Sequence, residues 1–227
     1  MGLKEKILDA SYELFGDKGY DETTVSDIIK KAGSSRGGFY HHFNSKEEIL
    51  EAITEEYLDE FSKLYNTTIE EHVGSYTELF NKIFTMFYEY KMEQIRDWPK
   101  LQKVFSFKGN HVIILKIARE FEELTTKVYT KVIREGVDKG EFTVKYHEAL
   151  AGLWTREMIQ INRIARKEFF KHDEVKFKSL IGQLEFVENM INRELGLKGN
   201  GVKVKLVVLA YIEHTKEQIA LKEEDAR

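Results

Sequence analysis

The stretch Thr24-Val-Ser-Asp-Ile-Ile-Lys-Lys-Ala-Gly-Ser-Ser-Arg-Gly-Gly-Phe-Tyr-His-His-Phe43 confines the start of this chain to few folds, because it reads as two short helices joined at a glycine. Thr24 and Asp27 have the form of a capping box, a hydroxyl for a first-turn amide and a carboxylate that returns the bond. Gly33 suits a left-handed turn after a helix, and Ser34 or Ser35 can cap the helix that follows. An amphipathic segment precedes the pair, with Leu3, Ile7, Leu8, Ser11, Leu14 and Phe15 on one face, and Gly16-Asp-Lys-Gly19 breaks it. Ser45-Lys-Glu-Glu48 is a second capping box, opening a long helix with Ile49, Ile53, Tyr57, Phe61 and Leu64 at spacings of three and four. The pattern is that of a helix-turn-helix, whose last helix enters a DNA major groove while the helix before it lies across the backbone.

Such a module must bury one side and expose the other. Val25, Ile28, Ile29, Ala32, Phe39 and Phe43 supply the buried side, leaving Ser34, Ser35, Arg36, Gly37, Tyr40 and His41 as the exposed face. Charge agrees with this division. The whole chain carries a formal net charge of −4, which argues against a protein that coats nucleic acid without selectivity. Between Ile28 and Lys46, however, stand Lys30, Lys31, Arg36, Lys46, His41 and His42, and no acid. Thr24, at a helix start where amides face outward, and Lys46, on the first turn of the long helix, are the candidate phosphate contacts. Arg36 is the candidate base reader, since its planar fork matches guanine O6 and N7. Gly37 lets the backbone approach the sugar-phosphate closely, and Tyr40 and His41 are placed to donate to phosphate or pack on a thymine methyl. His41 and His42 point about 100° apart on a helix and make a poor metal pair.

With these residues in view, the segment resembles the N-terminal domain of the TetR family of transcriptional repressors. Phe15-Gly-Asp-Lys-Gly-Tyr20, Thr23-Thr24-Val25, Ala32-Gly33, Ser35-Arg36-Gly37, Tyr40-His41, Phe43 and Ser45-Lys-Glu-Glu-Ile-Leu50 all match that family's pattern, over residues 3 to 50. The resemblance implies an all-α homodimer whose N-terminal domains bind a palindromic operator and whose C-terminal domain takes a small-molecule inducer. It also implies dimerisation through helices at about 146–170 and 175–195. Three positions depart from the pattern: Gly38 for Thr, Ser or Ala, Ser34 for a common valine, and Ile29 where alanine is usual. Gly38 lowers helix propensity by about 1 kcal/mol relative to alanine.

The remainder reads as further helical stripes. Leu79, Ile83, Met86, Phe87 and Tyr90 form one, followed by Ile117, Phe121, Leu124, Val128 and Val132. Leu150, Leu153, Trp154, Met158, Ile161 and Ile164 form another, then Phe177, Leu180, Leu184, Val187 and Ile191, with breaks near Gly74, Trp98-Pro99 and Gly136 to Gly140. Leu195 to Gly201 is the clearest linker. The next residues, Val202-Lys-Val-Lys-Leu206, alternate as a strand would, and residues 202–223 read as a helix against that local pattern. The fold expected is all-α, with a helix-turn-helix domain at 1–47 and a larger helical ligand-binding and dimerisation domain at 48–227.

Aromatic residues concentrate between Phe80 and His111. Phe84, Phe87, Tyr88, Trp98, Phe107 and His111, with Trp154 and Met158 from a later helix, are the candidate lining of an effector pocket, for a ligand that is partly apolar or aromatic. No cofactor motif, phosphate loop or nucleophile-and-base grouping stands out, so an enzyme is not expected. The chain has no cysteine, and no apolar run approaches the roughly 18 residues of a membrane span, so a cytoplasmic protein is expected. The reading is a dimeric, ligand-responsive repressor; its rival is a helical adaptor or nucleoid protein that uses DNA without an inducer.

Overall fold

The computed structural model describes residues 2–94, 111–170, 173–199 and 201–225. Among the described residues there are nine α-helices and no strand. They are α1 (Leu3–Lys18), α2 (Val25–Ala32), α3 (Arg36–His42), α4 (Lys46–Glu70), α5 (Tyr76–Gln94), α6 (His111–Asp138), α7 (His147–Phe170), α8 (Glu174–Leu195) and α9 (Val204–Asp225). The all-α expectation therefore holds. The chain divides into two compact units, Met1–Lys63 with Arg96–Phe121, and Leu64–Ile95 with Glu122–Arg227.

In the first unit the short helices are fixed by their ends. At α2, the Asp27 amide donates to the Thr24 hydroxyl at 3.1 Å, while the Thr24 amide donates to the Asp27 carboxylate at 2.9 Å. Gly33 closes α2 at φ 62°, in the left-handed region the turn requires. At α3, the Gly38 amide donates to the Ser35 hydroxyl at 3.0 Å. At the start of α4 the Glu48 amide donates to the Ser45 hydroxyl, but the Glu48 carboxylate reaches one residue further back than a capping box would, accepting from the Asn44 amide at 2.7 Å. One core unites these pieces: Ile7, Leu8, Phe15, Tyr20, Ile28, Phe39, Phe43, Ile49 and Leu50 are all buried, with Val25, Ile29 and Ala32 packed at its edge. Two ion pairs link α1 to α2, Lys18 to Asp27 and Lys31 to Glu13, each at 2.6 Å.

The second unit is built on apolar contact. α9 packs against α5, α7 and α8, and α7 packs against α8. Its centre is aromatic: the Trp154 ring lies 5.1 Å from Phe80, 5.4 Å from Phe84 and 5.7 Å from Tyr129, centroid to centroid. Tyr88 adds edge contacts to Phe84 at 5.1 Å and Tyr211 at 5.0 Å. The strand-like alternation at 202–206 has a local cause. Val202 and Val204 are buried and Lys203 is exposed, because the chain is still extended until α9 begins at Val204. Two asparagines pin that entry: Asn192 accepts from the Val202 amide at 2.7 Å, and Asn81 from the Lys203 amide at 2.8 Å.

Candidate nucleic-acid interface

On α3 the sequence splits cleanly between two sides. Phe39 is fully buried and Phe43, which caps the helix, nearly so, whereas Arg36, Gly37, Tyr40 and His41 are exposed. Positions 36, 37, 40 and 41 recur at helical spacing, so they share the outward side. Tyr40 remains 45% exposed, with its ring set edge-on to Phe39 at 5.3 Å. The candidate surface residues and the core residues are thus adjacent in sequence and opposite in space. Ser35 is held by its cap, and Ser34 is half-buried with its hydroxyl donating to the Ser35 carbonyl at 2.9 Å.

Gly38 has a spatial explanation that its helix propensity conceals. A Cβ there would lie 3.0 Å from a Leu3 methyl and 3.1 and 3.2 Å from the Ser34 and Ser35 hydroxyls. The missing side chain lets α1 approach α3. Gly37 is different, since nothing lies within 4 Å of a Cβ built on it, leaving its backbone open to an approaching molecule.

The basic residues differ in how they are held. Lys31 is engaged with Glu13. Lys30 and Arg36 are exposed, and neither side chain has an ion pair or hydrogen bond among the described residues. Lys46, half-buried, donates to the Tyr20 carbonyl at 2.8 Å, and its ammonium stands 4.5 Å from the Tyr20 ring centroid. This pairing across 26 positions left no sequence signal, although Tyr20 stands out as an aromatic residue just before the Thr23-Thr24 turn. At the start of α2, Lys18 donates to the Asp27 carboxylate and Thr24 donates to it as well, which holds its pKa far below the usual carboxylate range. Asp27 is thereby neutralised by Lys18 beside the exposed Thr24, so the helix start does not present an uncompensated negative charge.

The candidate effector residues fall in the second unit as far as they are described. Phe84, Tyr88, Trp154 and Met158 are buried, and Phe87 is half-buried with its ring 5.4 Å from Tyr88. Trp98 and Phe107 lie outside the described residues, and His111 opens α6 without a described side chain. Sequence reasoning missed the polar atoms in this core. Thr155 is fully buried and its hydroxyl has no hydrogen-bond partner among the described residues; nor has the Asn162 Oδ1, seven positions along α7 on the same side. The Asn162 side chain faces the Tyr88 hydroxyl, and burial pushes that phenol well above its ordinary pKa. Among the described residues no group of His, Cys, Asp and Glu could hold a metal ion. No helix among them is long and apolar enough to cross a membrane.

Residues 7–53 match the family model described as bacterial regulatory proteins, tetR family. The chain is 47% identical over 57 residues to an uncharacterised HTH-type transcriptional regulator of Bacillus subtilis, YvdT, covering 25% of this chain and 29% of that one. It is 26% identical over 159 residues to the HTH-type transcriptional repressor KstR2 of Rhodococcus jostii, covering 69% and 76%. With the negative transcriptional regulator of the Staphylococcus aureus biofilm operon, IcaR, it shares 29% over 109 residues, 48% and 59%. The chain thus spans under a third of YvdT and under two thirds of IcaR. In fold it is similar to a transcriptional regulator from Cytophaga hutchinsonii, with a TM-score of 0.60 at 19% identity, covering 84% of this chain and 97% of that one. It is also similar to RolR in complex with resorcinol, with a TM-score of 0.55 at 15% identity, covering 94% and 92%.

Proposed function

The chain belongs to the TetR family of bacterial regulatory proteins, and from that premise we propose that it is a dimeric, sequence-specific repressor released from a palindromic operator by a small molecule. As a member of that family it is a DNA-binding transcription regulator and not an enzyme. The observation that carries the reading is α3, a helix with Phe39 fully buried and Arg36, Gly37, Tyr40 and His41 exposed together. Arg36 reads a base; Thr24, Ser34, Ser35, Tyr40, His41 and Lys46 hold phosphates and fix the register; Gly37 admits the backbone. Residues 1–47 are the DNA-binding domain and 48–227 the ligand-binding and dimerisation domain, and the protein works in the cytoplasm, where its DNA is.

A palindromic operator needs two copies of α3 about 34 to 36 Å apart. The exposed side of α8 supports self-association. Val175, Ser179, Gly182 and Phe186 recur at spacings of four, three and four, all exposed, with Val175 80% and Phe186 67% exposed. On α7, Leu153 is exposed as well. An apolar stripe with small residues at its middle suits a helix of a second copy. Phe186→Glu should turn the dimer into a monomer in sedimentation equilibrium and abolish operator binding; a variant still dimeric would remove α8 from the seam.

The effector is small and partly aromatic. Support comes from the ring cluster of Phe80, Phe84, Tyr88 and Trp154, and from the Thr155 hydroxyl and Asn162 Oδ1, which have no hydrogen-bond partner among the described residues and sit beside apolar side chains. RolR, similar in fold, is complexed with resorcinol, an aromatic diol. A ligand shifts the dimer off DNA only by its differential affinity for two forms of the protein. Titrating aromatic compounds, resorcinol first, into the protein–operator complex and following release by fluorescence anisotropy tests this. If no aromatic compound releases the DNA while the operator itself binds tightly, the inducer reading gives way to the adaptor one.

A further inference from the structure

We infer that Tyr20 is a positioning residue for DNA, holding the Lys46 ammonium where a phosphate meets it and tying the first turn of α4 to the turn that leads into α2. The inference rests on the proposal that Lys46 contacts phosphate. Two parts of Tyr20 engage the same ammonium: its carbonyl accepts a hydrogen bond at 2.8 Å, and its ring lies under the charge at 4.5 Å. An ammonium has three donors, so one is used and two remain for a ligand.

The seat itself is rigid. Tyr20 is only 5% exposed, and its ring packs on the fully buried Phe15 at 5.0 Å. The carbonyl that holds Lys46 also accepts from the Thr23 amide at 3.2 Å, and the Thr23 hydroxyl donates to the Gly19 carbonyl at 2.8 Å. The next residue is Thr24, the α2 cap and the other candidate phosphate contact. Lys46 and Thr24, 22 positions apart in sequence, are therefore both fixed to one turn, residues 19–24. A free lysine loses much rotamer freedom when it settles on a phosphate; one already held loses less. Burial and the nearby Glu47 carboxylate raise the Tyr20 phenol above its ordinary pKa, so the ring stays neutral at physiological pH.

The arrangement also has a purely structural reading, in which Lys46 only fastens α4 to the loop. DNA binding separates the two. The probe is a random-sequence duplex, because phosphate contacts do not depend on sequence, with affinity measured by fluorescence anisotropy across a salt series. Tyr20→Leu should weaken binding about twofold to fivefold and flatten the salt dependence, while Tyr20→Phe, which keeps ring and carbonyl, should bind as the parent does. In a Lys46→Ala background, Tyr20→Leu should have no further effect. An unchanged salt slope in Tyr20→Leu, or effects of Tyr20→Leu and Lys46→Ala that add, would overturn the inference and leave the Lys46 assignment standing. If Lys46→Ala alone leaves the slope unchanged, the phosphate assignment fails and this inference with it. Should Tyr20→Leu not fold, the parent protein suffices: the Lys46 ε-methylene protons, shifted upfield by the ring, should keep that shift when the duplex is added, and its loss on DNA would overturn the inference.

Discussion

The two units of this molecule hold themselves together by different means, and the difference matches the tasks proposed for them. In the first, helices of seven and eight residues are too short to persist alone and are fixed by caps, two ion pairs to α1 and one apolar core. Buried Ser11, Thr23 and Thr54 there each donate to a main-chain carbonyl, and exposed polar side chains are carried on α3. In the second, long helices pack around stacked aromatic rings, and the buried Thr155 hydroxyl and Asn162 Oδ1 have no hydrogen-bond partner among the described residues, the Asn162 side chain reaching only Tyr88. A surface that must meet one fixed target rewards rigidity. If the second core takes the effector proposed for it, the unpartnered groups are ones the guest would satisfy, kept at a cost to the stability of the ligand-free protein.

The sharpest way to break this comparison is to remove the centre of the smaller core. Phe39→Ala should destabilise the first unit by about 3–5 kcal/mol, read as a lower-temperature or separate melting transition with loss of DNA binding, while the aromatic signal of the second unit persists. A single cooperative transition shifted as a whole would mean that the two units do not melt independently.

Thr155→Val probes the opposite character. Replacing an unpartnered buried hydroxyl by a methyl of similar size should stabilise the ligand-free protein by about 1 kcal/mol, measured by chemical denaturation, and weaken any effector that bonds to it. A loss of stability would show that the hydroxyl is satisfied in solution and that the core carries no such cost.

The smallest effect is expected in acid. Asp27 is held low, first by the hydrogen bond from Lys18 and then by Thr24, so its folded pKa lies below its unfolded one. Its contribution to stability is fully present above the unfolded carboxylate value of about 3.9 and is lost as the pH falls from there through the folded value. Asp27→Asn should flatten the acid limb of the stability curve below about pH 4 and leave the limb above pH 6 unchanged in slope. An acid limb identical to the parent's would remove Asp27 from the balance.

Much of this architecture was legible in local pattern. Thr24 with Asp27, Gly33 at its left-handed position and Ser34 or Ser35 just after it announced α2 and α3, because caps are written within four residues. The buried side of the module, Ile28, Phe39 and Phe43, followed from helical spacing. What stayed hidden depends on residues distant in sequence. Lys46 on Tyr20, Lys31 on Glu13 and the close approach of Leu3 to Gly38 arise only when helices pack. The helix expected over 202–223 is present from Val204, and the strand-like alternation at Val202–Leu206 arises because Asn81 and Asn192 hold two extended residues just before it begins. The effector candidates were found as an aromatic concentration, but composition carries no sign of which polar atoms among them lack partners.

The central claim is that α3 reads DNA through Arg36, and selection of binding sites from random duplexes by the purified protein tests it most directly. The account predicts enrichment of a palindrome, with Arg36→Ala still enriching DNA but losing preference for a guanine at one symmetric position and binding the parent site more weakly by about 1–3 kcal/mol. Enrichment of no sequence, or of the same palindrome with undiminished preference by Arg36→Ala, would contradict it.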